Sequence, residues 1–84
     1  MTRFTVAWVQ SAVDELIDIW LAMDDRNAVT AATNATDHEL QTDAQSKGIE
    51  LAEELRALNS PPLRVIFAVR VDDRVAEVLL VRRI

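Results

Sequence analysis

The sequence predicts an α+β fold in which two helices cover one face of a small, mainly antiparallel sheet. Residues alternate between apolar and polar near the N-terminus, as in a strand. Two stretches between Ser11 and Gln41 have the spacing of amphipathic helices, and the chain ends with two apolar runs around Asp72-Asp73. With 84 residues, the chain is expected to form a single domain spanning residues 1–84.

The first predicted elements are a strand and a helix. Alternating apolar residues predict the strand over Arg3–Val9. Ser11 is the predicted helix N-cap, with Asp14 three residues later as in a capping box. The stripe expected to face the sheet comprises Val13, Leu16, Ile17, Trp20 and Leu21.

A second helix is predicted from Arg26 to about Gln41, capped by Asp24 or Asp25. Small side chains allow helices to approach closely, so the two helices are expected to form an antiparallel hairpin. The inner stripe comprises Ala28, Val29, Ala32, Ala35, Thr36 and Leu40. A polar loop follows over residues 43–48.

Residues 49–59 are ambiguous. Apolar residues at helical spacing and the local propensities favour a helix. A strand would place Leu55 and Ala57 on one face and Arg56 and Leu58 on the other. The segment ends at Ser60, because proline disfavours the helical conformation in the residue before it.

The last 24 residues predict a β-hairpin. A two-residue loop at Asp72-Asp73 pairs residue 69 with 76, 67 with 78 and 65 with 80; a four-residue loop keeps the same faces, and a three-residue loop inverts the second strand. The face expected to meet the helices contains Val65, Phe67, Val69, Ala76, Val78 and Leu80. The open face contains Arg64, Ile66, Arg70, Glu77, Leu79, Val81 and Arg83.

The charge distribution and the amino-acid composition narrow the classes of function that the chain can have. Residues 1–60 carry four Lys/Arg and eleven Asp/Glu, whereas residues 61–84 carry five Arg and three Asp/Glu, so the net charge of −5 is unevenly distributed. Such an acidic chain is a poor general nucleic-acid binder. The absence of cysteine excludes disulfides and suits a cytoplasmic protein, and no signal-peptide or membrane-spanning pattern is present. No metal or cofactor site is predicted.

Three stretches carry a family resemblance: FTVAWVQSAVDELIDIWL, DRNAVTAATNATDHELQTD and GIELAEELRALNSPPLRVIFAVRVDDRVAEVLLVRRI. In this order they resemble the RelE/ParE superfamily of bacterial toxins over nearly the whole chain. The resemblance implies that residues 55–59 form a strand, and it allows a helical turn before them. The expected sheet is then four-stranded, with a C-terminal antiparallel three-stranded meander.

The resemblance also implies a role as the toxin of a type II toxin–antitoxin or plasmid-stabilisation system. A cognate antitoxin is then the expected partner. RelE-like members cut messenger RNA on the ribosome, whereas ParE-like members act on DNA gyrase and are not nucleases.

Whether the chain is an enzyme stays open. RNA cleavage needs a base, an acid and a stabiliser of the phosphate charge. The resemblance supplies Arg56, Arg64 and Arg83 as catalytic candidates, with Arg82 as the alternative to Arg83, but arginine is a poor base because it remains protonated. The chain has no tyrosine, and its one histidine, His38, is expected on a helix surface.

The open face is the predicted partner site, because an exposed apolar centre usually marks an interface. Its residues are Arg64, Ile66, Arg70, Leu79, Val81 and Arg83. An antitoxin segment with apolar and acidic residues would suit it. The sequence therefore favours a toxin that acts by protein binding. An active ribonuclease, and a non-toxic interaction module that dimerises through the open sheet or the helical hairpin, are the alternatives.

Overall fold

The computed structural model describes residues 1–84 and confirms the predicted α+β class. The elements are β1 (Thr5–Trp8), α1 (Gln10–Ala22), α2 (Arg26–Leu40), a 3-10 turn (Ala44–Ser46), β2 (Ile49–Ala52), β3 (Leu55–Ser60), β4 (Leu63–Arg70) and β5 (Val75–Arg83). The strand order in the sheet is β1-β5-β4-β3-β2. β1 runs parallel to β5, and all other neighbours are antiparallel.

The sheet has five strands rather than four, because the residues before β3 form the edge strand β2 and not a helical turn. Gly48 has a φ of +67°, and a Cβ there would lie 2.0 Å from the carbonyl oxygen of Ala57. Only glycine permits so close an approach in that conformation. Pairing with β3 therefore overrides the helical propensity of this segment.

Helix α1 begins one residue before the predicted cap. Its N-cap is Val9, whose own N–H donates to the carbonyl oxygen of Val78 (3.1 Å), so the chain passes from the sheet directly into the helix. Ala12 is fully buried. Leu16 and Ile19 of α1, and Met23 directly after it, also pack against the core. The predicted stripe is wrong in part: Ile17, Trp20 and Leu21 are exposed.

Helix α2 follows its prediction closely. The Asp25 carboxylate accepts a hydrogen bond from the Ala28 N–H (3.1 Å), which identifies Asp25 as the N-cap. The buried residues of the helix are Val29, Ala32, Thr36 and Leu40. They meet a core whose largest member is Phe67 of β4. Neither helix is long and apolar enough to cross a membrane.

The β4–β5 hairpin begins in the predicted register and then departs from it. Residues 71–74 form the loop, and Phe67 lies opposite Val78 as expected. A bulge at Leu79 then shifts the pairing, so that Val65 lies opposite Val81 and not opposite residue 80. Val81 is consequently 1% exposed and Leu80 40% exposed, the reverse of the prediction.

Candidate functional site on the open face of the sheet

An apolar row crosses the sheet on the face away from the helices. Its members are register neighbours on successive strands: Ile49, Ala57, Ile66 and Leu80. The two ends of the row are the most exposed, at 67% for Ile49 and 40% for Leu80. Leu79, the additional residue of the bulge, is half-buried next to it. In the middle of the row, Ala57 is buried (4% exposed) and Ile66 is half-buried, so the exposed apolar surface lies mainly at the two ends.

Arginines flank this row on both sides. Arg64 and Arg82 lie opposite each other two positions from Ile66 and Leu80, with Asn59 beside Arg64. Arg64 makes no ion pair. Towards the hairpin loop, Arg70 pairs with Glu77 at 3.5 Å. The open face therefore combines apolar side chains, which a partner would remove from water, with positively charged arginines.

Glu15 of α1 neutralises part of this charge at the free edge of β5. Its carboxylate contacts the guanidinium of Arg82 and accepts the backbone N–H of Val81 (3.3 Å). β1 pairs only with residues 75–78 of β5, so this N–H has no strand partner. Arg82 is thus drawn towards the helices, which leaves Arg64 as the unpaired cation next to the row.

Four of the predicted partner-site residues lie on the open face: Arg64, Ile66, Arg70 and Leu79. The other two do not, because the bulge turns the end of β5 over. Val81 lies in the core, and Arg83 lies opposite Leu63, on the helix side. Leu80 and Arg82 take their places. The run Val78 to Val81, apolar without alternation, was the one sequence signal of the bulge.

The three arginines suggested as catalytic do not converge. Arg56 lies opposite Phe67, on the helix side, and its guanidinium donates to the carbonyl oxygens of Lys47 (2.6 Å) and Gly48 (3.2 Å). Arg64 lies on the other face, three residues along the strand, which corresponds to about 10 Å. Arg83 is on the helix side but at the far end, whereas Arg82, the alternative to it, lies opposite Arg64 on the open face. No phosphate group placed on one face meets all three.

The remaining side chains offer few groups that could act in catalysis or bind a metal ion. His38 is exposed on α2, as predicted. The structure contains no group of three histidine, aspartate or glutamate side chains that could hold a metal ion.

Comparison with known proteins places the fold. No family model and no curated protein matches the sequence. A chain of the Mycobacterium tuberculosis RelBE2 toxin–antitoxin complex is similar in structure with a TM-score of 0.80 and 15% identity, covering 100% of this chain and 94% of that one. A chain of the chromosomal ParDE system of P. aeruginosa gives 0.73 and 18%, covering 98% and 97%.

A third similar structure is an arginine-to-alanine mutant of the E. coli toxin RelE in complex with an antitoxin RelBc peptide. Its TM-score is 0.58 and its identity 15%, covering 100% of this chain and 85% of that one. At such low sequence identity, structural agreement over whole chains shows a shared fold alone. The resemblance seen in the sequence is therefore confirmed at this level: the chain has the RelE/ParE toxin fold.

Proposed function

We propose that this chain is the toxin of a bacterial type II toxin–antitoxin module, that it acts in the cytoplasm by binding a protein, and that a cognate antitoxin neutralises it. The apolar row on the open face carries this proposal, because Ile49 and Leu80 at its ends are large exposed apolar side chains, and exposed apolar surface of this kind marks binding sites. The similar structures support it, since all three come from toxin–antitoxin systems.

The chemistry of the open face specifies the antitoxin segment. Aliphatic side chains would cover Ile66 and Leu80, and a carboxylate would pair with Arg64. An acidic, apolar segment satisfies both requirements, whereas a basic segment would bring like charge to the unpaired Arg64.

Protein binding is preferred to RNA cleavage as the toxic activity because Arg56, Arg64 and Arg83 do not share a face. A ParE-like action on DNA gyrase fits this preference. Ribosome-dependent cleavage of messenger RNA is the competing activity.

Inducible expression in bacteria tests the toxic activity. Growth, intact messenger RNA and plasmid supercoiling are followed after induction. We expect growth arrest with intact messages and altered supercoiling. Cleaved messages would assign the activity to a ribonuclease, and normal growth would contradict the toxin role and leave a non-toxic interaction module.

Selection for restored growth tests the open face. A library of short acidic, apolar segments is co-expressed with the toxin, and segments that restore growth are recovered. We expect these segments to fail against the toxic double variant Arg64→Ala/Leu80→Ser. The control is Val71→Ser, an exposed apolar residue in the β4–β5 loop (53% exposed, against 40% for Leu80). Equal rescue of both variants would contradict the proposed site, and loss of toxicity in the double variant alone would assign the face to the target instead.

A further inference from the structure

The outer edge of β5 has no strand partner beyond Val78. β1 pairs only with residues 75–78, and the N–H of Val9 donates to the carbonyl oxygen of Val78 (3.1 Å) before the chain enters α1. Residues 79–83 therefore form a free edge of the sheet, since β4 lies along their other side. The backbone groups of such an edge can pair with a further strand, and natural proteins usually cover them.

Two residues direct their backbone groups towards this free edge. The N–H of Ile84 donates to the carbonyl oxygen of Pro62 (2.9 Å), on the β4 side. Because the backbone groups of successive residues in a strand point to alternate edges, those of Val81 and Arg83 point away from β4. A cleft of about 340 Å³ lies beside the edge, lined by Glu15, Asp18, Ile19, Val81, Arg82 and Arg83.

Side chains, rather than a strand, bind the outward backbone groups of Val81. The Glu15 carboxylate accepts its N–H (3.3 Å), and the Arg82 guanidinium donates to its carbonyl oxygen (2.9 Å). The same guanidinium contacts the Glu15 carboxylate, and we call this pair the edge latch. A strand added to β5 would need the same two groups of Val81, so it can pair there only when the edge latch is open.

The edge latch can open without disturbing the core. Its side chains are partly exposed, at 30% for Glu15 and 56% for Arg82, and ion pairs at such exposure are weak and screened by salt. The side chain of Val81, in contrast, is 1% exposed and holds β5 in place. Opening the latch therefore frees the backbone of Val81 while the strand keeps its position.

The charges beside the edge balance locally. The carboxylates of Glu15 and Asp18 and the guanidiniums of Arg82 and Arg83 line the same cleft. The edge is therefore neutral although the whole chain carries a net charge of −5, and salt screens the remaining repulsion between two chains. A second copy of the chain can approach this edge without meeting an excess of like charge.

We propose that the free edge of β5 is a self-association site, which the edge latch keeps closed. When the latch opens, the β5 edges of two copies pair as antiparallel strands across a two-fold axis. With Val81 opposite the same residue of the other copy, the two exchange both backbone hydrogen bonds. Arg82 then lies opposite the exposed Leu80 of the other copy, which its aliphatic stem can cover, and arginines do not face each other. The inference does not rest on the proposed function.

Removing the latch tests the site. In Glu15→Ala the N–H of Val81 loses its acceptor, whereas alanine preserves the helix. We expect self-association about tenfold tighter than that of the unchanged chain, because a bond between chains replaces the lost one. Sedimentation equilibrium should show the mass rising with concentration towards that of two chains. The matched control, Asp14→Ala, removes the same charge from a carboxylate that accepts from the Gln10 side chain (3.0 Å), and should behave like the unchanged chain.

Hydrogen exchange and a second substitution locate the contact. As Glu15→Ala associates, the amides of Val81 and Arg83 should exchange more slowly, whereas that of Ile84, already bonded to Pro62, should not change. Arg83→Pro removes an outward N–H and, added to Glu15→Ala, should restore the mass of one chain. Circular dichroism checks that each variant is folded.

The unchanged chain provides a test without substitution, because salt weakens the latch. At high salt, the amides of Val81 and Arg83 should become more protected as the protein concentration rises. A single-chain mass of Glu15→Ala at every concentration, equal association of Asp14→Ala, or association that survives Arg83→Pro would each overturn the site. These measurements use the purified chain, so their outcome is separate from the growth experiments.

Discussion

The bulge at Leu79 gives two neighbouring residues opposite environments. Val81 is buried with Val65 in the core, whereas Leu80 faces outward beside Ile66. Each is an aliphatic residue in the same strand, so composition could not distinguish them. The energetic difference arises because a buried side chain loses its packing partners when it is truncated, and an exposed one loses little.

Alanine substitution at these two positions measures that difference. Val81→Ala is expected to lower the free energy of unfolding by about 2 kcal/mol, and Leu80→Ala by less than about 1 kcal/mol. Urea denaturation followed by circular dichroism gives both values. The opposite order would mean that β5 pairs without the bulge.

At the scale of elements, local signals predicted some segments and not others. Helix α2 and strand β4 follow their patterns because a cap, a buried stripe and strict alternation all agree. The sheet-facing side of α1 could not be predicted from the largest apolar residues, because Ala12 is what lies in the core. β2 could not be predicted because its residues prefer helix and form a strand only through pairing with β3.

The cap of α2 permits a matched test. Asp25→Ala removes the acceptor of the Ala28 N–H and should cost about 1 kcal/mol of stability. Asp24→Ala removes a neighbouring carboxylate that makes no such bond and should change stability by less than half as much. Thermal or urea unfolding of both variants decides between them. Equal losses would indicate a general charge effect rather than capping.

At the scale of the molecule, the sheet joins the two ends of the chain. β1, near the N-terminus, pairs with β5, near the C-terminus, and the helices lie between them in sequence. Contacts between distant segments make the helical layer and the sheet mutually dependent. The class and the order of the elements other than β2 could be predicted from the sequence, whereas the residues of the open face could be predicted only in part, because they depend on the register of β5.

This dependence predicts a single cooperative unfolding transition. Trp8 lies in β1 and its indole N–H donates to the Asp37 carboxylate of α2 (2.7 Å), so it reports on the contact between sheet and helices, whereas Trp20 lies in α1 and reports on the helical layer. In the Trp8→Phe and Trp20→Phe variants, the fluorescence and far-ultraviolet circular dichroism transitions in urea should coincide within each protein. Separate midpoints would show that the helical hairpin unfolds independently of the sheet.

The bulge in β5 shifts the register of the strand by one residue. Every residue after Leu79 points to the face opposite the one that regular alternation along the strand would give it. Arg82 therefore lies on the open face and Arg83 on the helix side. An alignment that matches the terminal arginines of this chain by position with those of another chain of the same fold therefore equates side chains that point in opposite directions, unless both strands contain the additional residue. For the same reason, inserting or deleting one residue in this strand would alter the open face more than replacing any single side chain on it.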